Sequence, residues 1–272
     1  MTRRISGLGE IIEEFDGILI DQFGVLHDGK AVFAEALPCL RKVAEINMPV
    51  VTITNSGRMK EPNRQRLNRF GFTEDLIGEV ITSGMVARAR ITEMLAAGDL
   101  APGDRVLNLT RENDTTVLDG LGLVPSDDPG DAIRLVLISG LKPEEVSRAS
   151  YRDMLGPLAK AGVPAICANP DHVVYADGKA AFGPGRVAQD YEEDGGSVTY
   201  AGKPGPEIFR RSLAVLGDPD PGRVLMIGDS HHHDIAGAAA IGCRTLLIAG
   251  GVQALSSADG VLPDYSLETL RF

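Results

Sequence analysis

The chain has 272 residues, which suggests one large domain or two modest ones at roughly 150 residues per domain. Hydrophobic residues make up 43% and charged residues 24%, which excludes a disordered chain, and no apolar run approaches the roughly 18 residues of a membrane span. The 27 basic and 38 acidic residues give a net charge of −11; that excludes charge-driven nucleic-acid binding, which needs a basic surface.

A phosphate site in so acidic a chain must be locally positive, through lysine, backbone N–H groups or a metal. Near the start, Arg3 and Arg4 are followed by Glu10, Glu13 and Glu14 rather than by a continuous apolar stretch. No signal peptide is read there, and a cytoplasmic protein is expected. Cys39, Cys167 and Cys243 are far apart, odd in number and without a CxxC pair. They are read as buried reduced thiols, because free cysteine packs like a small hydrophobe.

In chain order, strand-like and helix-like runs alternate. Gly17–Asp21 is a short apolar run ending in Asp, and Ala34–Ile46 has helical spacing. Pro49–Thr54 is a β-branched strand, and Glu61–Phe70 a polar helix that stops at Gly71. Ser83 and Gly84 open a helix that runs to Ala97 and closes at Gly98. Arg105–Leu109, Ile133–Ser139, Val163–Cys167 and Val173–Tyr175 are strand-like. Val224–Ile227 and Thr245–Ile248 flank an Ala-rich helix over Asp234–Ile241. Such alternation predicts parallel βαβ units and an α/β fold built on a doubly wound parallel sheet. Gly98–Gly130 is rich in Gly, Pro and Asp and reads as a hinge into an inserted unit, with a return near Gly195 and Gly196. The expected division is a core of 1–97 and 198–272 with an inserted α/β domain of 98–197.

Four of these runs end in polar residues that pack poorly in a core. Asp21 follows the first strand, Thr54 and Asn55 follow Pro49–Ile53, Lys203 follows Val198–Gly202, and Asp229 follows Val224–Gly228. Ligands of open parallel sheets bind at the carboxyl ends of the strands, so these residues are expected to converge. Two carboxylates, a hydroxyl, an amide and a lysine describe a phosphate site with a divalent metal. The carboxylates suit a hard cation such as Mg²⁺, and the lysine and hydroxyl neutralise and orient phosphoryl oxygens. Arg58, just beyond the second strand, is a candidate further cation, and His27, after Asp21, a candidate pocket residue. The run His231–His233 lacks HxxxH spacing and is not read as a zinc site.

Asp21-Gln22-Phe23-Gly24-Val25-Leu26 resembles the first motif of the haloacid dehalogenase superfamily of aspartate-nucleophile hydrolases. Thr54-Asn55 resembles its second motif, Gly202-Lys203-Pro204 its third, and Gly228-Asp229-Ser230 with Asp234 its fourth. The long insertion between the second and third motifs resembles class IIA, which includes sugar-phosphate, nucleotide and pyridoxal-phosphate phosphatases. Thr82-Ser83-Gly84, Asn169-Pro170-Asp171 and Gly183-Pro184-Gly185 are further local matches. The resemblance implies Asp21 as the nucleophile that forms an aspartyl-phosphate, Thr54 and Asn55 as holders of the phosphoryl group, and Lys203 as its neutralising cation. It implies Mg²⁺ bound by Asp21, Asp229 and the backbone carbonyl of Phe23, with Asp234 in the surroundings of the metal. It also turns the loop of Asn169 and Asp171 toward the substrate, beneath an inserted cap that excludes water. The class is often dimeric through that cap, which leaves a homodimer open.

One departure matters. The family's phosphatases usually carry a second Asp two positions after the nucleophile, as general acid and base, whereas this chain has Phe23. The expected function is Mg²⁺-dependent hydrolysis of a small phosphorylated metabolite, with neither nucleic acid nor membrane as partner. Two other readings stay open. One is a catalytically weakened phosphate- and metal-binding sensor. The other is a carbon–halogen hydrolase, which the retained Asp229 and Asp234 disfavour. His27 is the candidate substitute proton donor.

Overall fold

A computed structural model describes residues 1–130, 132–176, 179–252 and 260–272. In chain order its strands are β1 (Arg3–Arg4), β2 (Gly17–Ile20), β3 (Val50–Thr54), β4 (Glu79–Thr82), β5 (Arg105–Leu109), β6 (Val124–Ser126), β7 (Ile133–Ile138), β8 (Pro164–Cys167), β9 (Val173–Ala176), β10 (Lys179–Phe182), β11 (Ser197–Tyr200), β12 (Val224–Gly228), β13 (Arg244–Ile248) and β14 (Tyr265–Leu267). The chain divides into two compact units. The first comprises Met1–Thr54, Glu61–Ile81 and Lys203–Phe272; the second comprises Asn55–Lys60 and Thr82–Gly202.

In the first unit seven strands form one sheet in the order β1-β14-β13-β12-β2-β3-β4. β2 lies between β12 and β3 and is parallel to both, with Ile20 paired to Ile227 on one side and to Thr52 on the other. The pairings from β12 out to β1 are parallel as well. The sequences GILI and VLMIG of β2 and β12 are buried along their whole length. Strands covered on both faces read as continuous apolar runs rather than alternating ones, which is why these two were visible in the sequence. Leu40 and Val43 of helix Ala36–Glu45 and Leu67 of helix Lys60–Arg69 close one apolar cluster with Ile18, Ile20, Leu225 and Leu246. The chain leaves this core at the carboxyl ends of β2, β3 and β12, where Asp21, Thr54 and Asp229 stand.

The second unit has its own sheet, ordered β11-β8-β7-β5-β6, with parallel pairings throughout, and an antiparallel hairpin of β9 and β10. Its core joins Leu107, Val136, Ile138, Tyr151, Leu155, Cys167 and Tyr191. Helices Arg148–Lys160 and Pro184–Glu193 are tied by a two-pronged ion pair: Nε of Arg148 donates to Asp190 at 2.7 Å and its NH2 group at 2.5 Å.

Three sequence expectations are altered. The segment 98–130, expected as a hinge, carries β5 and β6 of the second sheet. Gly98, with φ of 81°, simply ends helix Ser83–Ala97, and Arg88 of that helix donates to the Val117 carbonyl at 2.9 Å. The second unit comprises Asn55–Lys60 and Thr82–Gly202, where 98–197 was expected. Next, β11, the strand that precedes Lys203, is an edge strand of the second sheet, while Lys203 itself belongs to the first unit. Lys203 is thus not at a strand end of the core sheet, because a strand–turn–helix pattern does not say which sheet its strand joins. Finally, the helix expected over Asp234–Ile241 is a π-helical turn, His231–Ala236, followed by Gly237–Ala240. Such wide turns are rare and cluster at functional sites. All three cysteines are free and buried. Among the described residues, no helix is long and apolar enough to cross a membrane.

Candidate active site

Asp21 is fixed at the end of β2 by its own N–H, which donates to the Ile227 carbonyl of β12 at 2.9 Å. Lys203 reaches it from the loop that leads into helix Pro206–Val215. The lysine Nζ donates to Asp21 Oδ1 at 2.8 Å and to Asp234 Oδ1 at 2.7 Å, and only 3% of its side chain is exposed. Asp234 is held in turn by the Ser230 N–H, which donates to its second oxygen at 3.0 Å. Ser230 caps the π-helical turn, its Oγ accepting the His233 N–H at 3.1 Å. Asp229, fully buried after β12, completes the group. Asp21, Asp229 and Asp234 each offer an oxygen within 4.8 Å of the others. The structure thus brings together four of the expected residues, Asp21, Lys203, Asp229 and Asp234, across 213 positions of sequence.

Burial pushes the Asp21 carboxyl well above the usual carboxylate range, Lys203 opposes that rise, and the Asp234 charge adds to it. Burial works against the Lys203 ammonium too, but Asp21 and Asp234 together hold it above the ordinary lysine range. One lysine beside three buried carboxylates leaves the cluster short of positive charge. An all-oxygen donor set of this kind matches a hard divalent cation, which would supply the missing positive charge and favour the anionic form of Asp21. The backbone makes room for it: a Cβ at Gly24 would sit 1.9 Å from Oδ2 of Asp229, and one at Gly251 would sit 2.3 Å from Asp229 Cβ. The residues therefore fit a metal centre.

After Asp21 the chain turns tightly. The Gln22 carbonyl accepts the Leu26 N–H at 2.8 Å, Gly24 takes φ of 85°, and its N–H donates to the His27 carbonyl at 2.9 Å. Positive φ is cheap only for glycine. Phe23 is half-buried, its ring edge-on to the His27 ring at 6.2 Å and set over Gly29. His27 is 1% exposed, its ring 4.8 Å from that of Phe70, and its Nδ1 accepts the Gly29 N–H at 3.0 Å. Burial, helped by the Arg66 charge, lowers its pKa to about 4. The structure thus places His27 as a neutral packing residue, not as the pocket residue or proton donor that the sequence suggested.

Apart from Thr54, the other expected residues lie in the second unit. Asn55 Nδ2 donates to Asp171 Oδ1 at 2.9 Å, and Ser83 Oγ donates to Asn55 Oδ1 at 3.3 Å. Asn169 Oδ1 accepts the Asp171 N–H at 3.1 Å. A Cβ at Gly202 would sit 2.2 Å from Ser83 Oγ, one at Gly183 2.1 Å from the Asp171 carbonyl, and one at Gly185 2.0 Å from the Pro170 carbonyl. The small-residue motifs around positions 83, 183 and 202 thus serve one hydrogen-bonded cluster, and Thr54 and Asn55 fall on different units despite being neighbours in sequence. Arg58 pairs with Glu112 at 2.9 Å and lies 3.8 Å from Asp114, so the expected extra cation is already engaged by carboxylates. Ser83 and Ser230 entered the sequence reading only within the motifs Thr82-Ser83-Gly84 and Gly228-Asp229-Ser230, with no role of their own.

Residues 18–124 match the family model described as haloacid dehalogenase-like hydrolase, and residues 200–271 one described as HAD-hydrolase-like. A haloacid dehalogenase-like hydrolase structure from Brucella suis is 30% identical, covers 98% of this chain and 99% of its own, and superposes with a TM-score of 0.85. Chronophin from Rattus norvegicus is 28% identical over 98% of this chain and 89% of its own length. A glycerol phosphate phosphatase of Mycobacterium tuberculosis, solved in complex with magnesium, is 26% identical over 95% of this chain and 77% of its own, with a TM-score of 0.73. With the carboxylate–lysine cluster at the ends of β2 and β12, these likenesses place the chain in the haloacid dehalogenase-like hydrolase family.

Proposed function

We propose that this chain is a Mg²⁺-dependent phosphatase that hydrolyses a small phosphorylated metabolite through attack by Asp21. The observation that carries the reading is Lys203 bound to both Asp21 and Asp234, with Asp229 beside them. A carboxylate attacks a phosphoryl group poorly, because both are anions; the attack needs nearby positive charge. Lys203 supplies one such charge next to the Asp21 oxygen. Mg²⁺, held by Asp21 and Asp229, would supply the other by drawing charge from the phosphoryl oxygens. Asp234 is a positioning residue: it holds the ammonium and is itself held by Ser230. Thr54, at the neighbouring strand end, offers a hydroxyl to a phosphoryl oxygen. The relative named as a glycerol phosphate phosphatase, solved in complex with magnesium, supports this reading.

The test is phosphate release from 4-nitrophenyl phosphate and from a panel of phosphorylated metabolites, with Mg²⁺ and with EDTA. Asp21→Asn keeps the size of the side chain and removes its nucleophilic oxygen, so turnover should vanish while phosphate binding persists. A variant within about tenfold of the parent, roughly 1.4 kcal/mol in the barrier, overturns the covalent route. Phe23 favours one second reading, a phosphate-binding protein without turnover. A rise of Tm with inorganic phosphate and Mg²⁺, but no release of phosphate from any ester, selects it.

A further inference from the structure

Resting on the phosphatase reading, we infer that the substrates are phosphates carried on weakly basic oxygen, meaning acyl or aryl phosphates rather than phosphorylated alcohols such as sugars. When Asp21 attacks phosphorus, the bond from phosphorus to the leaving oxygen breaks and its electron pair stays on that oxygen. An alkoxide formed this way is strongly basic and must be met by a proton, whereas a carboxylate or a nitrophenolate departs as the anion.

The groups around Asp21 in the first unit are poorly suited to deliver that proton. Lys203 is clamped between Asp21 and Asp234 at 2.8 and 2.7 Å. Asp234 accepts from Lys203 and from the Ser230 N–H, and Asp229 belongs to the carboxylate cluster that suits the metal. On the turn that follows the nucleophile, Gln22 carries an amide and Phe23 a hydrocarbon ring. His27 on the same turn is buried between two aromatic rings, with Nδ1 already accepting a backbone N–H. In the second step a water oxygen attacks the phosphorus of the aspartyl-phosphate. The water proton passes to solvent, and the bond to Asp21 breaks to restore its carboxylate. That leaving group is itself weakly basic, so the second step is free of the limitation on the first.

The experiment is kcat/KM of the Mg²⁺-loaded wild-type enzyme against leaving-group pKa. The series runs from acetyl and 4-nitrophenyl phosphate through phenyl phosphate to glycerol and glucose phosphates. A general acid is typically worth about 10²–10⁴-fold, so the alkyl esters should fall behind the acyl and nitrophenyl esters by that factor. Phe23→Asp should recover part of the loss on the alkyl esters and little on the nitrophenyl ester, while Phe23→Asn, equal in size but without an ionisable proton, should recover none. A flat dependence in the wild type overturns the inference and points to a proton from another side chain, His231–His233 among them. Equal gains from Asp and Asn overturn it as well. Turnover of none of the esters overturns the phosphatase reading itself. If Phe23→Asp fails to fold, the wild-type series decides alone.

Discussion

Gly24 and Asp229, at the ends of two adjacent strands, fit together because one of them has no side chain. A Cβ at position 24 would lie 1.9 Å from Oδ2 of Asp229, and Gly24 also sits at φ of 85°. Gly24→Ala should therefore push Asp229 out of the carboxylate cluster and strain the turn by about 1–2 kcal/mol. Displacing a group that orients metal ligands typically costs about 10–100-fold in metal affinity. Mg²⁺ titration followed by activity and by calorimetry measures it; unchanged affinity refutes the fit.

Removing the Asp234 charge tests its positioning role. Asp234→Asn keeps an oxygen for Lys203 and an amide of the same size, yet frees the ammonium from one of its two carboxylates. The expectation is a loss of about 10–100-fold in kcat, the range seen for groups that orient a working residue, with KM little changed. Steady-state kinetics read the split. A rise in KM alone would mean that Asp234 acts on substrate binding instead.

Mg²⁺ should stabilise the fold, because it binds only where the three carboxylates have been brought together. At about one hundred times its Kd a ligand adds about 2.7 kcal/mol, which for a chain of this length is several degrees in Tm. EDTA should abolish the shift, and so should Asp229→Asn, which removes one charged ligand from the cluster. Thermal melts with Mg²⁺, with Ca²⁺ and with EDTA make the measurement without any substrate.

His27 gives the pH dependence of stability. Its pKa falls from 6.5 in the unfolded chain to about 4 in the folded protein, because burial disfavours the imidazolium. The unfolded state therefore binds the proton first as the pH drops. The stabilising contribution is whole above pH 6.5, declines between 6.5 and 4, and is lost below 4. The difference is worth up to about 3 kcal/mol. His27→Gln should flatten that part of the profile, at some cost in packing against Phe70. Urea melts from pH 7 to pH 4 on both proteins check it. Parallel profiles for the two would show that the acid loss comes from other groups.

The sequence by itself determined the class of fold and pointed to Asp21, Lys203, Asp229 and Asp234, which the structure brings together. β2 and β12 were legible because a strand buried on both faces is a continuous apolar run, and the Asp that ends each run stands out against it. The short strands β1 and β14, three residues or fewer, and the edge strand Glu79–Thr82 were not legible, because their pairing is set by the neighbour rather than by their own pattern. The tertiary structure alone decided where Lys203 points: its strand joins the second sheet, and only the packing of the following loop carries the ammonium to Asp21 and Asp234. It also decided that Asn55 bonds Asp171, 116 positions away, and that Arg58 is engaged by Glu112 and Asp114. His27 is buried against Phe70, 43 residues further along the chain, and that burial, with the Arg66 charge, favours its neutral form. Each of these depends on contacts between residues distant in sequence, and local pattern carries chemistry and periodicity but not the partner that neutralises a charge.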